Sequence, residues 1–136
     1  MTDALAISGY ASRFWQKDLA DDLTVPGSFA ASLATRGSRG VKMLYQHDPL
    51  APIGLWDEIA EDDLGLKVRG RILPITAAGR MCAALAEAGV LEGLSIGFRT
   101  VKARRDGSLR VLTEVDLWEV SLVTFPMLPG ARLTVG

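Results

Sequence analysis

Gly93-Leu94-Ser95-Ile96-Gly97-Phe98 is the stretch on which the reading of this chain turns. Leu94, Ile96 and Phe98 alternate with Ser95, Gly97 and Arg99, the two-residue period of a strand buried on one face. Ser95 then points away from the apolar face, with the small residues Gly93 and Gly97 on its own side. Glycine inside a strand weakens it and often marks close approach by another chain or a ligand. Taken alone, the stretch fits an ordinary surface serine on a bulged strand as well as a sterically open, reactive one.

Composition narrows the choice. The 136 residues make one domain (residues 1–136), enough chain for a single core, with 49% hydrophobic and 23% charged residues. A net charge of −1 does not point to nucleic acid or an anionic membrane as partner. The apolar runs are too short to cross a bilayer, and Met1-Thr2-Asp3 does not open a signal peptide. The expected location is the cytoplasm of the cell that makes the chain. The single cysteine, Cys82, leaves no internal disulfide, and one cysteine with one histidine is a poor start for a zinc site. No metal or cofactor is called for. If the chain is a hydrolase with a histidine base, that base is His47, because there is no other histidine.

Outward from residue 95, patterning predicts a strand over 4–13, a surface loop over 14–23 and a short helix over 28–35 carrying Phe29 and Leu33. A strand over 41–46 should end at His47-Asp48-Pro49, since proline cannot donate to a sheet ladder. Residues 56–72 read as a hairpin, with Leu66, Val68, Gly70 and Ile72 alternating with basic residues. Thr76 is a good N-cap for a helix over 77–88 with Met81, Leu85 and Ala88 as its inward stripe, ended by Gly89. Cys82, beside that stripe, reads as a small buried hydrophobe. Asp106-Gly107 turns the chain into a long strand over 109–125. In that strand the polar face becomes apolar near Leu117-Trp118, which requires a bulge or passage from the rim into the core. Glu119 then lies among Leu117, Val120, Leu122 and Val123. A carboxylate there needs a partner: either it serves an active site, or it pairs with Arg99 or Arg13. The fold class expected is α+β, mainly β: a mostly antiparallel barrel with inserted helices.

Several segments in fixed order resemble the prohead (capsid maturation) serine proteases of tailed phages and of gene transfer agents. They are Gly9-Tyr10-Ala11-Ser12, Val25-Pro26-Gly27-Ser28-Phe29, Met43-Leu44-Tyr45-Gln46-His47-Asp48, Pro52-Ile53-Gly54-Leu55-Trp56, Gly93 to Phe98, and Asp116 to Pro126. That family is similar in fold to herpesvirus assemblin, a serine protease built on a β-barrel.

The resemblance implies a serine endopeptidase with Ser95 as nucleophile and His47 as general base. Assemblin-type enzymes orient the first histidine with a second, which this chain lacks. Glu119 is expected in that third role, with Asp116 as the fallback. Oxyanion donors would come from the amides near Ile96-Gly97 or from an arginine-bearing loop. The implied substrates are the major capsid protein's scaffold segment, scaffold protein and the protease itself, inside a procapsid in the host bacterium's cytoplasm. The resemblance further implies homodimer formation, while the net charge of −1 leaves no nucleic-acid or membrane partner expected. Family members often carry a scaffold-like tail, which would here be cleaved, supplied by another protein or lie beyond Gly136. Two other readings remain: a catalytically silent capsid-assembly barrel that binds scaffold or capsid subunits, and an enzyme using Ser121 or Cys82 as nucleophile.

Overall fold

In the computed structural model, which describes residues 3–136, eight strands and two helices alternate along the chain. They run β1 (Leu5–Arg13), β2 (Asp22–Thr24), α1 (Ala30–Arg36), β3 (Lys42–Tyr45), β4 (Asp48–Glu61), β5 (Gly65–Ile72), α2 (Ala77–Glu87), β6 (Gly93–Asp106), β7 (Leu109–Val123) and β8 (Leu133–Val135). The fold is α+β and mainly β, as the patterning predicts.

β7 organises the sheet. β6 lies antiparallel along one of its edges from Gly93↔Val123 to Asp106↔Leu109. The other edge takes β2 in parallel at Arg110–Leu112 and β3 in parallel at Glu119–Leu122. From β3 the sheet continues through antiparallel pairings to β4, β5, β1 and β8. A bridge between Gly93 and Arg132, with backbone bonds from Leu94 N to Ala131 O (2.8 Å) and from Leu133 N to Glu92 O (2.9 Å), brings the far end back to β6. The sheet thus curls around one core that holds Phe29, Trp56, Leu66, Leu94, Leu117, Val120 and Leu122. Each such side chain contributes about 1.5–3 kcal/mol on burial. Trp56 also spends its indole N–H on the Val120 carbonyl, so its polar atom is not stranded.

Several local expectations hold. The Thr76 hydroxyl caps α2 by accepting the Gly79 N–H at 3.0 Å. Helix α1 lacks a side-chain cap of its own. The Glu61 carboxylate at the end of β4 takes its place, accepting N–H bonds from Gly27 (2.6 Å) and Phe29 (2.9 Å). Cys82 is fully buried, and burial pushes its thiol up to about 11.

Others are corrected. The fully buried residues of α2 are Gly79, Cys82 and Ala86; of the expected stripe Leu85 packs against the core, whereas Met81 and Ala88 are exposed. A Cβ at Gly79 would collide with the carbonyl of Leu73, in the connection that leads from β5 into the helix. Strand pairing does not stop at Pro49. β4 begins at Asp48 and runs through Pro49 and Pro52, because β3 and β4 slip register between Leu44↔Pro52 and Tyr45↔Asp48. Residues 49–51 fall in that slip and face no β3 partner, so the missing proline donor costs nothing there. The end of the loop expected over 14–23 instead enters β2 at residues 22–24, and residues 133–135 add β8.

Candidate active site

Two features of the backbone bring the chemistry together. The first is a bulge in β7. Gly97 pairs with Glu119 and Phe98 with Leu117, so Trp118 is an extra residue with no partner. Val115 and Leu117 face the core before it, and Val120 and Leu122 face the core after it. The change of parity moves Glu119 and Ser121 to the opposite face. They would have pointed inward had the strand stayed regular. There they stand directly across from Gly97 and Ser95, respectively.

The second feature is the turn between β3 and β4. Gln46 (φ 53°) and His47 (φ 61°) both take the left-handed conformation that side chains other than glycine rarely adopt. The turn is pinned to β7 by hydrogen bonds from Gln46 N to Leu122 O (2.9 Å), Gln46 Nε2 to Thr124 Oγ1 (2.7 Å) and His47 N to Ser121 Oγ (3.0 Å). It lays the His47 imidazole over the Ser95–Glu119 face.

There, His47 Nε2 is 3.1 Å from Ser95 Oγ, and His47 Nδ1 is 2.5 Å from Glu119 Oε2. The Ser121 hydroxyl donates to the other carboxylate oxygen, Glu119 Oε1, at 2.6 Å. A carboxylate accepts and does not donate, so the network assigns the imidazole proton to Nδ1 and leaves Nε2 to accept from Ser95. The hydrogen bond to Glu119 raises the His47 pKa above its ordinary 6.5, against partial desolvation that pulls it down. Ser95 is 7% exposed and Glu119 9%, while the imidazole is open to solvent along one edge. A cavity of about 50 Å³ opens beside Ser95, walled by Leu23, Ile96, Phe98, Met127 and Leu128 and by the polar Gln16, Asp18 and Asp22.

All three expected residues therefore meet. Ser95 does point away from the core, yet it is buried, because His47 lies over it. Asp116, the fallback, is elsewhere: its carboxylate accepts from Trp118 Nε1 (2.8 Å) and Arg36 Nη2 (2.9 Å), which hold its pKa below the usual range. Neither Arg99 nor Arg13 pairs with Glu119. Arg99 sits opposite Asp116 in the ladder, and Arg13 stacks on the Tyr10 ring at 5.2 Å. As nucleophiles, Cys82 and Ser121 are unsuited: both are fully buried, and the Ser121 hydroxyl is engaged twice. The bond from Ser121 to the site was missed. An acid and a hydroxyl two residues apart on one strand, Glu119-Val120-Ser121, were the available signal.

The chain is similar to several known proteins. A family model described as caudovirus prohead serine protease matches residues 1–135. The prohead protease of Enterobacteria phage HK97 is 36% identical over 124 residues, covering 87% of this chain and 54% of the relative. That of Escherichia phage T5 is 29% identical over 123 residues, covering 88% and 57%. The chain thus spans about half the length of the curated relatives it matches. Among solved structures, the capsid assembly protease of bacteriophage T4 superposes with a TM-score of 0.72 at 14% identity, over 90% of this chain and 82% of that one. The Kaposi's sarcoma herpesvirus protease bound to a hexapeptide phosphonate inhibitor gives 0.67 at 14% identity, over 98% and 65%. At that identity the likeness is one of fold.

Proposed function

The chain belongs to the caudovirus prohead serine protease family, and from that premise we propose that it is a serine endopeptidase cleaving scaffold and capsid polypeptides within the assembling procapsid. The observation that carries this reading is the hydrogen-bonded line from Ser95 Oγ through the His47 ring to Glu119, at 3.1 and 2.5 Å.

A serine hydroxyl is a weak nucleophile at neutral pH until a base takes its proton as it attacks. Here Nε2 takes the Ser95 proton while Oγ bonds to the scissile carbonyl carbon. The Glu119 carboxylate holds the resulting imidazolium. Collapse of the tetrahedral intermediate breaks the C–N bond, and Nε2 returns the proton to the departing amine. A water molecule then repeats the sequence on the ester and frees Ser95. General-base help of this kind accelerates about 10²–10⁴-fold. The cavity beside Ser95 is the natural seat for a substrate side chain next to the scissile bond. The silent-barrel alternative requires that Ser95 and His47 share no cleft, and their 3.1 Å contact favours the enzyme.

The test is co-expression of the chain with the capsid protein of its own particle, followed by mass spectrometry of the new termini. Cleavage that disappears with Ser95→Ala supports the proposal. Uncleaved capsid protein in particles that nevertheless assemble would favour the silent barrel.

Gly97 offers a finer test. A Cβ at this position would run into the Glu119 carboxylate directly across the ladder. Gly97→Ala should therefore displace Glu119 from His47, and a misplacement of about 1 Å costs about 10²-fold in rate. The expected result is a loss in kcat with a folded barrel, checked by steady-state kinetics beside a thermal melt. Turnover equal to wild type would mean that the carboxylate need not sit where it does.

A further inference from the structure

We propose that Ser121 is a positioning residue whose single hydroxyl fixes both the base and the acid that orients it. This rests on the protease reading above. Ser121 lies on β7 directly opposite Ser95 on β6 and beside Leu44 on β3, and is fully buried. Its Oγ accepts the His47 backbone N–H at 3.0 Å and donates its one proton to Glu119 Oε1 at 2.6 Å.

Each bond has a distinct consequence. His47 is held at φ 61°, a conformation that persists only where the surroundings over-determine it. The bond to its N–H fixes the backbone from which the imidazole projects. The bond to Oε1 fills one side of the carboxylate and turns Oε2 towards Nδ1, which sets the tautomer. A hydroxyl can accept on one side while donating on the other, and a methyl can do neither. Removing it leaves the His47 N–H without its acceptor and a buried carboxylate oxygen without a donor.

Because His47 is the one histidine in the chain, its ring gives an unambiguous NMR signature after ¹⁵N-histidine labelling. The experiment compares wild type, Ser121→Ala, the near-isosteric Ser121→Cys and the hydroxyl-retaining Ser121→Thr, with folding monitored by thermal melts. For alanine and cysteine, kcat is expected to fall about 10–100-fold, the scale seen when the partner that orients a metal-binding side chain is lost. KM should hold within about twofold, and the ring should pass from one Nδ1–H tautomer to a mixture. Threonine should restore much of both. In a Glu119→Gln background, Ser121→Ala should cost less than it does in the wild type, since the part of its effect that runs through the carboxylate is already lost while the bond to the His47 N–H is still removed. If alanine unfolds the barrel, the cysteine variant carries the test. A folded alanine or cysteine variant with wild-type kcat and an unchanged tautomer overturns the proposal. If wild type has no peptidase activity, the protease reading fails. The histidine tautomer alone then decides whether Ser121 positions the ring.

Discussion

Replacing Ser95 by alanine is expected to remove turnover by about 10⁴–10⁶-fold, the range seen when a nucleophile is deleted from a serine–histidine–acid unit. Stability should barely change. The substitution deletes one oxygen from a residue that points away from the core, and Leu94 and Leu122, which hold this part of the barrel, are untouched. His47→Ala should cost a similar amount, and the double variant no more than either single one, because residues that act as a unit are not additive. The check is kcat for the three variants with a thermal melt for each. A Ser95→Ala protein that keeps its turnover would place the nucleophile elsewhere.

Glu119→Gln should have the next largest effect, approaching the 10⁴-fold measured for loss of the corresponding acid in a well-studied triad. The reason is directional. Ser121 donates to Oε1, so the glutamine oxygen is drawn to that side and its NH₂ group faces Nδ1. An NH₂ group there donates to the ring and forces the imidazole proton onto Nε2, which can then no longer accept from Ser95. The loss should appear in kcat more than in KM.

The pH profile should move as well. The hydrogen bond to Glu119 is the main cause holding the His47 pKa above 6.5, so removing it shifts the acid limb of kcat/KM to lower pH. Stability runs the other way. A histidine whose folded pKa is raised stabilises the fold fully below its unfolded pKa and loses that contribution as pH rises through the folded value. Wild-type activity should therefore rise over the same window in which the His47–Glu119 pair ceases to stabilise. Asp116→Asn is the matched control. Its carboxylate is bonded to Arg36 and Trp118, so turnover should be retained.

The parts of the fold that could be read in the sequence are those set by local pattern. The Leu94–Phe98 alternation, the 56–72 hairpin and the Thr76-capped helix each carry their own periodicity or cap. The change of face at Leu117-Trp118 could also be read, as a break in parity, and it is the step that brings Glu119 to the site. A second break was not foreseen. Leu112 and Val115 both face the core because Thr113 is an extra residue opposite Lys102–Ala103. β2 and β8 are three residues each and exist through backbone pairing with β7 and β1, which leaves little trace in side-chain pattern. Pro49 argued against pairing beyond this point, which the β3–β4 register slip permits. Ser121 was weighed as a nucleophile because sequence gives a hydroxyl but not its partners. Its burial and its two bonds come from the convergence of β7 with the Gln46–His47 turn.

The central claim is that Ser95 is a nucleophile activated by His47, and it is tested most directly by a fluorophosphonate probe followed by peptide mapping. The account predicts a single adduct on Ser95, formed in the wild-type chain and lost in His47→Ala while the barrel stays folded. An adduct on another serine, or no adduct in a particle that processes its capsid protein, would contradict it.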